Sequence, residues 1–387
     1  MLPDEGSTTH PTRVEDTAHV GAGSASSSVT GHAASTEALR TLMQAGVRHV
    51  EAHRMHDSRH RLGTLGLRVC ANEKVCGETL SRCLLPLSGP PDLGQERPPA
   101  RPVPGDLVVH VLCGSAPPWQ SPPPWNLAHT DHRHLERLHL CERGTLSAFH
   151  DHDRRFWFIL DHTARVGLFW LADAIDLPFW EAAAPFKTLI HWFLHAEPMA
   201  MLHAGVIIEA ERALVLVGPG GSGKSTTVAT WLSEGLAVCG DDLVLAEPGR
   251  TGWHAHALYD SIKLAADGAL PIPAGMTAAP WWTAGDKRVM RCTDIRPAAL
   301  ASAAPIVGLA QCVITGKPET TLLPQPASHL LKALLPPTVF LLRGREANTL
   351  KKLSAMVRST PCYRLELGTD RKVLVDTLRI WLQQVQP

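Results

Sequence analysis

Ala213-Leu214-Val215-Leu216-Val217-Gly218-Pro219-Gly220-Gly221-Ser222-Gly223-Lys224-Ser225-Thr226 is the stretch on which the fold turns. Its unbroken apolar opening predicts a strand covered on both faces. Lys224 to Glu234 predicts a helix, closed by Gly235 in the left-handed position after its last turn. Between strand and helix the pattern G-x-x-x-x-G-K-[ST] is met without a mismatch. Glycines let successive backbone N–H groups turn inward on phosphate oxygens, and the helix N-terminus adds free donors and a favourable dipole. The pattern therefore predicts a P-loop for a nucleoside triphosphate, lined by Gly218, Pro219, Gly220, Gly221, Ser222, Gly223, Lys224, Ser225 and Thr226. Lys224 is expected to reach the β- and γ-phosphates, and the Ser225 hydroxyl to coordinate Mg²⁺. The same stretch also suits an ordinary Gly-rich turn with an incidental lysine.

Leu236 to Cys239 predicts the next strand, which runs into Gly240-Asp241-Asp242. One carboxylate at a strand end can hold Mg²⁺ or its waters, and a neighbour can take a proton from an attacking hydroxyl. Consecutive strand residues point to opposite sides, so the two can serve different partners. Upstream, Leu202 to Ile208 predicts a strand carrying His203, and Trp180 to His195 a helix with Phe186, Leu189, Ile190, Phe193 and Leu194 on one face. His203 equally suits a satisfied core histidine. Downstream, Leu243 to Glu247 and Trp253 to Leu258 flank a Pro-Gly turn, and a helix from Asp370 to Gln384 closes the chain. Pro297 to Ile314 reads as core or a buried loop.

At these residues the chain resembles the HPr kinase/phosphorylase-like family, which includes kinases encoded with ribosomal-peptide tailoring systems, such as lasso-peptide kinases. The matching stretches are Met201 to Val206, Gly218 to Thr226, Cys239 to Asp242 and Leu258 to Leu264. Leu177 to Glu181, Ala184-Pro185-Phe186 and Thr360 to Gly368 look similar to the peptide-tailoring branch. The resemblance covers roughly 150–387. It implies an α/β fold with a P-loop nucleotide-binding core of the HPr kinase/carboxykinase type, ATP and Mg²⁺ as cofactors, and transfer of the γ-phosphoryl group to a serine hydroxyl of a peptide or protein. It implies His203 near the phosphates, Asp241 as base, Asp242 as metal holder, Lys263 as a further catalytic residue, and a ring-like homo-oligomer. The glycine-rich signature that bifunctional members carry after the aspartates is missing, so the resemblance stops short of phosphorylase activity and of HPr as acceptor. A small-metabolite kinase and a nucleotide-dependent binding protein remain the alternatives.

The rest of the chain divides around this core. Residues 1–34 are rich in Ser, Thr, Gly, Ala and His and read as a disordered tail. Ser35 or Thr36 then suits a helix N-cap, with Leu39, Leu42, Met43, Val47 and Val50 following at helical spacing. Residues 35–175 read as an accessory region with a proline-dense part at 84–125 and strands at 107–112, 135–141, 155–160 and 166–170; residues 176–387 read as the kinase domain. His53, His56 and His60 fall at i, i+3, i+7 and read as a polar helix face, while His129, Asp131, His132, His134 and His139 follow no metal-site pattern. Asp260 reads as a turn residue, and Arg288 and Arg291 as solvated surface.

Composition bounds the partners. The 387 residues carry 37 basic and 37 acidic side chains, so nothing draws the chain to nucleic acid or an anionic membrane. The nine cysteines are odd in number and contain no C-x-x-C pair, which fits reduced thiols in a cytoplasm. Neither a signal peptide nor a membrane-spanning apolar run is expected.

Overall fold

The computed structural model describes residues 25–87, 105–114, 138–143, 145–151, 156–174, 177–265, 282–284, 287–342 and 344–385. Its first half comprises α1 (Ala25–Ala52), β1 (His56–Leu62), β2 (Leu65–Ala71), α2 (Lys74–Ser81), β3 (Leu107–Cys113), β4 (Leu138–Arg143), β5 (Leu146–Asp151), β6 (Phe156–Asp161) and β7 (Val166–Leu171). These strands form a seven-stranded sheet in the order β1-β2-β3-β7-β6-β5-β4. The β2–β3 and β3–β7 pairings are parallel and the remainder antiparallel. Phe156-Trp157-Phe158-Ile159-Leu160 is apolar throughout because both faces are covered. Trp157 and Ile159 join Leu39, Met43 and Val50 of α1, while Phe156, Phe158 and Leu160 face the opposite way.

Two expectations for this half need correction. Helix α1 starts at Ala25, so the tail boundary at 34 and the cap at Ser35 or Thr36 fall inside a helix. It also ends at Ala52, so His56 and His60 lie on β1, not on a helix face. There the period of two sets His56, Ser58 and His60 on one side, with both imidazoles hydrogen-bonded to Ser58. Of the histidine-rich group, His129, Asp131, His132 and His134 lie outside the described residues, and His139 pairs with His150 across β4 and β5.

The second half continues with α3 (Phe179–Ala183), α4 (Lys187–Phe193), β8 (Ala200–Leu202), β9 (Gly205–Glu209), β10 (Arg212–Val217), α5 (Lys224–Ser233), β11 (Ala237–Gly240), β12 (Val244–Pro248), β13 (Trp253–His256), β14 (Ile262–Ala265), β15 (Trp282–Ala284), β16 (Lys287–Met290), α6 (Cys292–Ile295), β17 (Ala303–Ile314), β18 (Thr321–Pro324), α7 (Ala327–Leu341), α8 (Glu346–Ser359), β19 (Cys362–Leu367) and α9 (Arg371–Gln384). A nine-stranded sheet runs β11-β9-β10-β17-β13-β12-β8, with β19 joined to β17 and to β18. Leu214 and Leu216 of β10 face α5 and α9, and Ala213, Val215 and Val217 face α7 and α8. The apolar run Ala213–Val217 is thus a central strand between two helical layers, and the molecule is a mixed α/β structure.

Three elements differ from expectation. The helix expected from Trp180 to His195 is two, broken at Ala184-Pro185-Phe186, because Pro185 has no N–H to give and Phe186 takes φ 59°. The strand expected from Leu202 to Ile208 is also two, β8 and β9, which part company at His203 and enter different regions of the sheet. Pro297 to Ile314 is largely strand. β17 pairs with β13 at its start, with β10 in its middle and with β19 at its end, so it is the hub of the sheet.

Candidate functional site

The loop after β10 owes its path to glycine. Gly218, Gly221 and Gly223 hold φ of 143°, 78° and 98°, in the left-handed half of backbone space. A Cβ on Gly223 would hold φ 98° and stand 2.5 Å from Leu367 Cδ1, so a side chain at the turn into α5 is strained and displaces Leu367. The helix begins with Lys224, Ser225 and Thr226, has no acidic residue in its first turn and receives no side-chain cap. Its free N–H groups face the loop. Lys224 is buried, and its Nζ donates to the carbonyl oxygens of Gly218 at 2.7 Å and Pro219 at 3.1 Å. A buried ammonium requires acceptors, and here it finds them on the loop it would share with a phosphate. Burial lowers its pKa.

The acidic pair follows β11, with Asp242 in the left-handed region at φ 66°. The two carboxylates meet opposite conditions. Asp241 is 1% exposed, and neither of its oxygens has a partner at good hydrogen-bond geometry, although the Ser225 hydroxyl and the Asp242 N–H stand near enough to favour its charge. Burial first, and the charge of Asp242 second, push its pKa up to about 6, against the pull of Ser225 and Lys224 nearby. Asp242 accepts a hydrogen bond from Lys263 Nζ at 2.6 Å and lies 3.4 Å from His203 Nδ1. Burial pushes its carboxyl upward, but Lys263 and His203 outweigh that and hold it at about 2. His203 sits between β8 and β9, its backbone N–H donating to Thr338 Oγ1 at 3.2 Å. Its Nδ1 is buried and too poorly aligned with Asp242 for a hydrogen bond, and burial depresses its pKa.

The structure therefore brings together Lys224, Ser225, Asp241, Asp242, His203 and Lys263 from β10–α5, the end of β11, the β8–β9 connection and β14. A magnesium ion fits the donor set on one side of the pair. Asp241 offers two unpartnered buried oxygens beside the Ser225 hydroxyl, and a hard dication would relieve both the missing hydrogen bonds and the repulsion from Asp242. Asp242, the residue expected to hold the metal, is the one paired with Lys263.

The sequence reading missed the buried Lys187–Glu181 ion pair behind this cluster. Lys187 opens α4, and its charge helps depress the Asp242 pKa. Tyr259 Oη donates to the Pro185 carbonyl at 2.7 Å and Ser261 Oγ to that of Ala183 at 2.6 Å, which staples the α3–α4 break to the segment leading into β14. The available signal was two opposite charges on either side of Pro185 in an otherwise apolar run. Asp260 takes no part in the cluster. It accepts from Arg291 Nε, Thr293 N and Thr293 Oγ1, so Arg291, expected at a solvated surface, is an ion-pair partner, while Arg288 is exposed.

No family model and no curated protein matches the chain. Among solved structures, the Hpr(Ser) kinase/phosphatase from Coxiella burnetii aligns with 48% of this chain and 95% of its own, at 7% sequence identity and a TM-score of 0.27. Among the described residues no helix is long and apolar enough to cross a membrane.

Proposed function

We propose that the protein is an ATP-dependent phosphotransferase with an HPr kinase-like P-loop core over 176–387 and an accessory region before it that begins with α1 at Ala25. The reaction is transfer of the γ-phosphoryl group to a hydroxyl, with a peptide or protein serine as the acceptor class. One observation carries this reading. The buried ammonium of Lys224 is held on the loop carbonyls beside an orphaned Asp241 carboxylate and Ser225, so a cation and an anion site adjoin at one helix N-terminus.

The chain's residues divide the work by position. Loop amides from Gly218 to Ser225 and Lys224 bind the β- and γ-phosphates. Ser225 and Asp241 would hold Mg²⁺, which when bound neutralises charge on the phosphate oxygens. Asp242 faces the acceptor side, where it orients the hydroxyl and takes its proton. The new P–O bond forms to the acceptor oxygen as the bridging β–γ P–O bond breaks and ADP departs. A carboxylate held near pKa 2 suffices, because in a loose phosphoryl-transfer transition state the proton can leave late. Lys263 fixes Asp242 in place through its hydrogen bond, and His203 stands beside it.

The test is titration calorimetry with MgATP followed by phosphate transfer from labelled ATP to serine-containing peptides. Wild type is expected to bind and transfer, and Lys224→Ala to lose transfer and bind weakly. Equal turnover in that variant would sink the proposal. ATP binding without transfer to any acceptor would point to a nucleotide-dependent switch.

A further inference from the structure

β10, β17 and β19 are parallel neighbours, so the loops after their carboxyl ends open on one edge of the sheet, where ligands of α/β sheets bind. On the other flank of β10 lie β9 and then β11, which delivers the acidic pair. For a nucleotide whose terminal phosphate faces Asp241 and Asp242, β17 and β19 lie on the side away from the pair. There β17 runs on from Gln311, the partner of Val217, to Ile314, and stands as a wall beside the P-loop. A Cβ on Gly223 would lie 3.6 Å from Ile314 Cγ1, and Leu367, the strand partner of Ile314, is buried against the same glycine. Ile314 itself is 61% exposed.

The ground around this side chain is preformed. Thr315 donates to the Leu367 carbonyl from both N and Oγ1, at 3.2 and 3.1 Å. Thr369 N donates to Lys317 O at 2.8 Å, and Gly368 N to Thr320 Oγ1 at 3.0 Å. Gly316, at φ 73°, has open space where its Cβ would be, which leaves room beside its backbone.

Resting on the nucleotide reading above, we infer that Ile314, backed by Leu367 and the 315–317 turn, is the platform for the nucleobase. The ligand is the flat ring of a nucleoside triphosphate already anchored by its phosphates. Stacking would cover an aliphatic surface that is otherwise left in water, and the Gly316 backbone would face the edge of the ring.

Two ligands separate this inference from the one it rests on. MgATP has phosphates and a base, and magnesium tripolyphosphate has phosphates alone. Both are titrated against wild type, Ile314→Ser and Ile314→Val of the full chain, after melting curves without ligand. The exposed site predicts unchanged melting. Ile314→Ser is expected to weaken MgATP about tenfold, the effect of losing apolar burial under the ring, while tripolyphosphate stays within about twofold. Ile314→Val should lie close to wild type. Unchanged MgATP affinity in Ile314→Ser, or equal losses for both ligands, overturns the platform and leaves the phosphate site standing. Wild type that binds tripolyphosphate as tightly as MgATP does the same. Wild type that binds neither overturns the phosphate site and the platform together.

Discussion

Asp241 and Asp242 are adjacent and chemically identical, yet their surroundings drive them in opposite directions. With its pKa raised from 3.8 to about 6, Asp241 gives up its proton more readily in the unfolded chain than in the folded one. Its contribution favours the fold below pH 4 and is lost as pH rises through 6. The difference amounts to about 3 kcal/mol at neutral pH by the usual conversion. Asp241→Asn should therefore stabilise the magnesium-free protein at pH 7, by about 1–2 kcal/mol once the cost of an unpartnered amide is allowed for. It should also flatten the stability profile between pH 4 and 6. Asp242, held at about 2, contributes stability that is present above pH 4 and lost as pH falls toward 2, so Asp242→Asn should destabilise at neutral pH. Denaturant unfolding of both variants across this range, in a chelator, checks the signs, and parallel profiles would refute them. With Mg²⁺ added the order should invert. Wild type and Asp242→Asn should gain stability and Asp241→Asn should not, while in turnover assays excess metal should recover part of the rate of Asp241→Asn alone. Metal rescue of Asp242→Asn instead would restore the roles that the family resemblance implied. Strand alternation predicted two sides for the pair, but both residues lie past the end of β11 at Gly240, with Asp242 at φ 66°. Which side was which depended on Lys263 and Ser225, brought in by chain far from the pair.

At the scale of elements, legibility followed the covering of faces. β10, α5, β11, the β12–β13 hairpin and α9 were readable because each has a period or an unbroken apolar run bounded by glycine, proline or a cap such as Asp370, which accepts from Lys372 N and Val373 N. β1 was missed because His56-Asp57-Ser58-Arg59-His60-Arg61-Leu62 carries polar side chains on both faces, and its identity as a strand comes from pairing with β2. β17 was masked by Pro305 and Gly308, which an inner strand rarely carries. Gly308 is explained by packing, since a Cβ there would be 2.8 Å from Trp381 Cη2. The α5 entry yields a direct test. Gly223→Ala must place a Cβ 2.5 Å from Leu367 and hold a left-handed φ of 98°. The strain should cost about 1–3 kcal/mol and, because relief requires the loop to open, should weaken MgATP and tripolyphosphate alike. Thermal unfolding and titration with both ligands measure this, and retention of full affinity would mean that the loop geometry does not define the anion site.

The largest scale joins the two sheets. One apolar cluster runs from Leu62 to Leu342 and crosses the boundary expected at 175, taking in Phe158 and Phe169 of the first sheet, Phe186 and Trp192 around α4, and Leu243 and Tyr259 beside the acidic pair. Composition could suggest two regions but could not reveal this shared core, because its members alternate along strands whose partners lie in the other half. The packing has a consequence for the site. Phe158 stacks on Phe169 at 4.8 Å between ring centroids, and Phe169 meets Phe186 edge-on at 6.0 Å. Phe186 is the N-cap of α4, and the next residue is Lys187, whose charge acts on Asp242. Phe169 of the first sheet thus packs directly against the residue that caps α4. Phe169→Ala and Trp157→Ala each remove a buried aromatic ring from that sheet, at an expected cost of about 3–5 kcal/mol, but on opposite faces. Phe169 lies on the face toward α4 and Trp157 on the face toward α1. Turnover measured well below both melting temperatures should fall severalfold in Phe169→Ala, through a displaced Lys187 and a less firmly held Asp242, and should be close to wild type in Trp157→Ala. MgATP affinity should hold in both, since the 218–223 loop stands on the other sheet. Equal turnover in the two folded variants would mean that the first sheet supports the second without shaping its chemistry, and that the accessory region must be explained by something other than the placement of α4.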